Sequence, residues 1–225
     1  MKISEIFHSI QGEGTLAGVS SVFVRTSGCN LRCTWCDTPY TSWHPEGNDH
    51  SVDQILARVT AYPATHTVLT GGEPMLFEES IALCTALKSL NHHITIETAG
   101  TIFRAVPCDL MSISPKLSNS TPHHDPYWSI QHDKLRLQPD TLRRLMDHAD
   151  YQLKFVVAQP SDLDEIHPLV DTLKADPAKV LLMPEGRDTA TLNERSRWIA
   201  EACKSFGYRY SPRLHVLLWG DIRGV

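Results

Sequence analysis

The stretch that decides how this chain is read is Ser21-Val22-Phe23-Val24-Arg25-Thr26-Ser27-Gly28-Cys29-Asn30-Leu31-Arg32-Cys33-Thr34-Trp35-Cys36-Asp37-Thr38. Its opening residues are rich in β-branched and aromatic side chains and read as a strand. The strand runs straight into Cys29-x-x-x-Cys33-x-x-Cys36. Thiolates crowded this closely are metal ligands in a reducing compartment; a disulfide scaffold is normally smaller and more cysteine-dense. The remaining cysteines, Cys84, Cys108 and Cys203, are scattered and read as small buried apolar residues.

Working outward, Thr67-Val68-Leu69 is a second strand and ends on Thr70-Gly71-Gly72-Glu73-Pro74. Ile94 to Glu97, Leu110 to Ser114, Leu153 to Val157 and Val180 to Met183 are further strands. Helical spacing fills the intervals. Ser51 and Gln54 form a capping box ahead of Val52, Ile55, Leu56 and Val59. Glu78 to Leu90, Thr141 to His148, Asp162 to Lys174 and Leu192 to Phe206 follow. Leu214-His215-Val216-Leu217-Leu218 is read as a last strand. Ser118 to Asp133, rich in His, Pro, Ser and Asn, is read as a solvated loop. Alternating β and α predicts an α/β fold with a parallel sheet. With 225 residues the chain is short for a closed eight-fold barrel of about 250. The expectation is a partial, open (β/α)6-like barrel in one domain, residues 1–225, with ligands at the carboxyl ends of its strands.

Hydrophobic residues make up 41% of the chain and the net charge is −5. Neither a nucleic-acid surface nor a membrane span is expected, since no apolar run nears the roughly 18 residues a span requires. The first residues lack the apolar core of a signal peptide, and a cytoplasmic enzyme is expected.

Three soft thiolates on one short loop can wrap three corners of a [4Fe–4S] cube. With no fourth cysteine close by, one iron is left open to take a ligand. A zinc site of the three cysteines and His44 is the alternative. The cysteine loop after an early strand, followed by a strand ending Thr70-Gly71-Gly72-Glu73-Pro74, resembles the radical S-adenosylmethionine superfamily. Further matches are Glu5-Ile6-Phe7, Ile10-Gln11-Gly12-Glu13-Gly14, Cys36-Asp37-Thr38, Glu97-Thr98-Ala99-Gly100-Thr101, Ser112-Ile113-Ser114-Pro115-Lys116 and the run Leu214 to Val225. Together they resemble the 7-carboxy-7-deazaguanine synthase family from end to end, sparsely between about Ser118 and Ala178.

That resemblance implies a lyase that converts 6-carboxy-5,6,7,8-tetrahydropterin to 7-carboxy-7-deazaguanine, with ring contraction and loss of ammonia, in queuosine and 7-deazapurine biosynthesis. It implies a [4Fe–4S] cluster on Cys29, Cys33 and Cys36, S-adenosylmethionine and Mg2+ as cofactors, a homodimer, and an electron donor such as flavodoxin. Trp35, Asp37, Gly72, Glu73, Ser114, Pro115, Lys116, Met183, Pro184, Glu185 and Gly186 are the expected cofactor contacts. Ile10, Gln11, Gly12, Arg25 and Thr70 are the expected pterin contacts, Arg25 for the substrate carboxylate. Thr38 is the expected magnesium ligand. Val225 is expected to bring a terminal carboxylate to the pterin edge. A glycyl-radical activase would share the cysteine loop, but not Gln11-Gly12-Glu13-Gly14. A metal-binding module without activity is the other alternative.

Overall fold

A computed structural model describes residues 1–225. Nine strands form one sheet: β1 (Lys2–Ile10), β2 (Ser20–Thr26), β3 (Asn48–Asp49), β4 (His66–Gly71), β5 (His93–Thr98), β6 (Leu110–Ile113), β7 (Tyr151–Val157), β8 (Val180–Pro184) and β9 (Arg209–Tyr210). Their order is β3-β1-β2-β4-β5-β6-β7-β8-β9. β1 runs antiparallel to β2 and β3, and every pair from β2 to β9 is parallel. The sheet does not close, because β3 and β9 lie at opposite ends of the order. Six long parallel strands, β2 and β4 to β8, form the expected open half-barrel.

Seven helices connect them: α1 (Val52–Val59), α2 (Glu79–Ser89), α3 (Pro126–Leu135), α4 (Pro139–His148), α5 (Leu163–Leu173), α6 (Thr189–Phe206) and α7 (Leu214–Trp219). The Ser51 capping box is present: Ser51 Oγ accepts from Gln54 N at 3.2 Å and Gln54 Oε1 from Ser51 N at 2.9 Å. Leu83, Leu87, Ile166 and Ile199 from the helices meet Val24, Leu69, Ile96, Met111 and Phe155 from the sheet in one core. Each such fully buried side chain stabilises the fold by about 1.5–3 kcal/mol.

Three expectations give way here. Leu214 to Leu218 lies in helix α7, not in a strand; a short apolar run does not distinguish the two by pattern. Val216 is its buried residue, while Leu217 and Leu218 are exposed. Trp219 is also exposed. Ser118 to Asp133 is not one loop but a 3-10 turn (Ser118–Ser120) and then most of α3. Asp125 caps α3 by accepting from Trp128 N at 2.9 Å, and Pro126 occupies its first turn. Within that segment His132 is fully buried rather than solvated.

Candidate active site

Parallel strands place their carboxyl ends side by side. In register, Thr26 of β2 faces Gly71 of β4, Thr98 of β5 faces Ile113 of β6, and Val156 of β7 faces Met183 of β8. The loops leaving these ends surround a cavity of about 300 Å³. From the expected set, Ile10, Gln11, Gly12, Arg25, Trp35, Asp37, Thr38, Thr70, Gly72, Ser114, Lys116, Met183 and Val225 all line it. Glu73, Pro115, Pro184, Glu185 and Gly186 are not among its walls, and neither are the three cysteines.

The residues outside the wall have other partners. Glu73 is fully buried. Its carboxylate accepts from Thr98 Oγ1 at 2.8 Å, Ala99 N at 2.9 Å and Met75 N at 3.0 Å. It thereby ties the end of β4 to the end of β5, and burial raises its pKa. Gly72 N donates to Thr26 O at 3.1 Å and Glu73 N to Gly28 O at 2.9 Å. These amides are committed to the start of the cysteine loop, so the Gly72 carbonyl is what the segment can offer a ligand. Only glycine fits at position 72, because a Cβ there would sit 2.1 Å from Gly28 O. Glu185 pairs with Arg195.

Cys29, Cys33 and Cys36 share one loop. Burial, with the neighbouring thiols adding, pushes Cys29 and Cys33 up to about 12. The other three cysteines belong to the sheet–helix core or pack against it. No three His, Cys, Asp or Glu side chains converge on a single-ion site. The donor set itself, three soft thiolates on one short loop with no fourth cysteine beside them, suits three corners of a four-iron cube and leaves one iron open. Thr38 Oγ1 faces the cavity near Cys36, 3.8 Å from its Sγ and 3.3 Å from Thr41 Oγ1.

On the β1 side, Phe7 and Phe23 stack at 5.0 Å between centroids, 9° from parallel, and line the cavity. Arg25 lies over Phe7 and gives its Nε to Glu5 Oε1 at 2.6 Å. Its two terminal nitrogens are left for the cavity. Glu5 is shared with Tyr40, whose hydroxyl donates at 3.0 Å, and with Arg223, whose Nε lies 3.2 Å away.

Sequence reasoning assigned no individual role to Glu13, Glu97, Lys154, Arg213 or His215, which with Asp37 make up the most highly charged part of the site. Glu97 Oε1 accepts from Gln11 Nε2 at 3.1 Å and its Oε2 from Thr70 Oγ1 at 2.7 Å, which orients a carboxylate in the cavity wall. Lys154 pairs with Glu13, and Arg213 bridges Glu13, Asp37 and the Gly186 carbonyl. Burial works to raise the Glu13 carboxyl, but the charges of Lys154 and Arg213 outweigh it and hold it well below the usual range. His215 packs on Gly12, where a Cβ would lie 2.0 Å from its Nδ1. A signal did exist for two of these residues. Glu97 and Lys154 are charges inside apolar strand runs near carboxyl ends, where a buried charge needs a purpose. His215 lay in the matched run Leu214 to Val225 without a role of its own, and Arg213 carried no signal.

An open parallel sheet, a three-cysteine loop after its first parallel strand and a glycine pair at the end of the next define a radical S-adenosylmethionine protein. Residues 23–126 match the family model of the radical SAM superfamily. The chain is 49% identical to a 7-carboxy-7-deazaguanine synthase of Halobacterium salinarum, over 98% of this chain and 91% of that one. It is 43% identical to one of Rhodopirellula baltica, over 99% and 88%. The crystal structure of QueE from Escherichia coli superposes with a TM-score of 0.67 at 26% identity, covering 93% of this chain and 92% of that one. The chain belongs to the 7-carboxy-7-deazaguanine synthase family.

Proposed function

We propose that the chain, working as one domain over residues 1–225, converts 6-carboxy-5,6,7,8-tetrahydropterin to 7-carboxy-7-deazaguanine with loss of ammonia. The observation that carries this reading is the single cavity. It is lined by Trp35, Asp37 and Thr38 from the cysteine loop and by Gly72, together with a guanidinium whose two terminal nitrogens are uncommitted, an oriented carboxylate and a pair of stacked aromatic rings. Bound on Cys29, Cys33 and Cys36, the cluster would supply the electron that cleaves S-adenosylmethionine to a 5′-deoxyadenosyl radical.

The chain's own residues bind and orient the rest. The terminal nitrogens of Arg25 suit a bidentate hold on the substrate carboxylate, and Glu5 keeps the guanidinium plane fixed. Glu97 is a pure acceptor and suits the N–H groups of a pterin edge; Gln11 and Thr70 prevent its rotation. Thr38 suits one position of a magnesium ion whose other ligands are water and substrate oxygen. Ser114, Lys116 and Trp35 form the cofactor side, where Lys116 Nζ bonds Ser114 Oγ at 2.8 Å and lies over the Trp35 ring.

Exposed Leu217, Leu218 and Ile222 support a homodimer. Six free cysteines suit a reducing compartment, and no helix is long and apolar enough to cross a membrane; both support a cytoplasmic setting. An external donor such as flavodoxin would deliver the electron. The test is anaerobic reconstitution, reduction and incubation with the carboxytetrahydropterin, following product mass and ammonia. Wild type should form both, and so should Cys84→Ala. Cys29→Ala, Cys33→Ala and Cys36→Ala should form neither. An active Cys33→Ala protein, or a cluster-loaded wild type that leaves the pterin unchanged, would overturn the proposal.

A further inference from the structure

The reaction outlined above uses nothing between Ser118 and Leu135, yet this segment is built against the cysteine loop. Thr34 N donates to Ser120 O at 2.9 Å. Trp35 Nε1 donates to Asn119 O at 3.0 Å. The Arg32 guanidinium carbon lies 4.2 Å from the Trp128 ring centroid. At the centre is His132, with no exposed surface. Its Nδ1 accepts from Arg32 N at 3.2 Å, and its Nε2 lies 2.9 Å from Ser120 Oγ.

The hydrogen bonds around His132 settle which nitrogen carries the proton. Ser120 has one hydroxyl proton and gives it to Leu117 O at 2.6 Å. Ser120 Oγ must therefore accept from His132 Nε2–H. Nδ1 is left with its lone pair and receives the Arg32 amide. The ring is thus a neutral relay with a defined direction: Arg32 N–H to Nδ1, Nε2–H to Ser120 Oγ, Ser120 Oγ–H to Leu117 O. Its outer end grips Arg32, the last of the three residues between Cys29 and Cys33.

We propose that His132 is a positioning residue for the cysteine loop, and that residues 118–135 form a buttress that sets the loop's shape before any metal arrives. Holding a loop in its metal-binding shape removes ordering entropy that binding would otherwise have to overcome. The buttress therefore acts on how firmly iron is retained, while cofactor and pterin contacts are made by other residues. The inference rests on Cys29, Cys33 and Cys36 being cluster ligands. Its primary measurement is made on the metal-free chain, so failure of the buttress and failure of the cluster assignment are distinguishable.

The experiment compares His132→Asn, His132→Gln and His132→Phe. Asn places a carbonyl oxygen near the Nδ1 position and keeps the acceptor for Arg32. Gln reaches toward the Nε2 position and loses that acceptor, and Phe loses both. Amide hydrogen exchange of Arg32 and Thr34 is read in the metal-free protein. The rate of iron loss to a chelator and the electron paramagnetic resonance of the reduced cluster are read after reconstitution. Losing one buried hydrogen bond should speed Arg32 exchange about five- to tenfold in the Phe and Gln variants. Iron loss should quicken in step, and Asn should stay within about twofold of wild type. If His132→Phe does not fold, Trp128→Leu removes the stacking contact on Arg32 without opening the core and should quicken iron loss in the same direction. Wild-type exchange and iron retention in the Phe and Gln variants would overturn the proposal. So would an Asn variant as impaired as Phe, which would show that volume and not the acceptor matters.

Discussion

The Lys154–Glu13 pair offers the sharpest quantitative test of the site as described. Their side chains are 6% and 15% exposed, and Arg213, which also bonds Glu13, is 7% exposed. Two cations and Glu13 therefore share a largely dry network, which Asp37, 42% exposed, closes on the solvent side. Exposed ion pairs contribute about 0.2–1 kcal/mol. Breaking a buried one by removing a single partner costs about 3–5 kcal/mol, because the survivor stays desolvated. At an effective dielectric constant of about 20, two unit charges 4 Å apart interact by about 4 kcal/mol, the same order. Glu13→Gln strands Lys154, so it should lie at the upper end of that range. Lys154→Met leaves Glu13 with Arg213 and should cost about 3 kcal/mol. The double variant should recover much of the loss, giving a coupling energy of about 2 kcal/mol or more. The assay is urea unfolding of the metal-free chain at pH 7, read by far-ultraviolet circular dichroism. Because the folded pKa of Glu13 lies below its unfolded value, the pair's contribution is fully present above about pH 4.5 and is lost as pH falls below it. Near-additive single variants, each within 1 kcal/mol of wild type, would refute the buried-network reasoning.

Other expectations follow from named contacts. Gly72→Ala should displace Gly28 and the start of the cysteine loop, since backbone stands 2.1 Å from the new Cβ; cofactor affinity should fall at least tenfold by equilibrium dialysis, and an unchanged affinity would remove Gly72 from the cofactor contacts. Thr38→Val keeps the side chain's shape and removes its oxygen. Its magnesium titration of turnover should move to higher concentration, and an unmoved titration would remove Thr38 as a ligand. His66 bonds Ser21 Oγ at 2.7 Å and Thr95 Oγ1 at 2.9 Å, and burial pushes it down to about 4. Its folded pKa lies below its unfolded value, so its contribution is complete above about pH 6.5 and is lost between about 6.5 and 4. The melting temperature should fall across that window, and less steeply in His66→Gln; an unchanged slope would show that His66 is not the group titrating.

The chemistry of this protein was legible along the chain because its motifs are local. Three cysteines within one loop, a glycine pair ending a strand, and β-then-α periodicity each depend on neighbours a few residues apart. Those features were enough for the open half-barrel and the cysteine loop; the family resemblance, carried by Ile10 to Gly14 and the other matched runs, added Gln11, Arg25, Thr38 and Thr70, and all four line the cavity. Helix α7 was misread because a run of four apolar residues and one histidine has no informative period. What decides between helix and strand there is tertiary. Arg213, immediately before the helix, is locked to Glu13, Asp37 and Gly186, and His215 then seats on Gly12. The same holds for Lys154 with Glu13 and for His132 with Arg32, partners 141 and 100 residues apart in sequence. A charge or an imidazole carries no local mark of the partner that will neutralise or orient it. Only folding brings that partner within hydrogen-bond reach, so buried electrostatics and the buttress behind the cysteine loop belong to the tertiary structure alone.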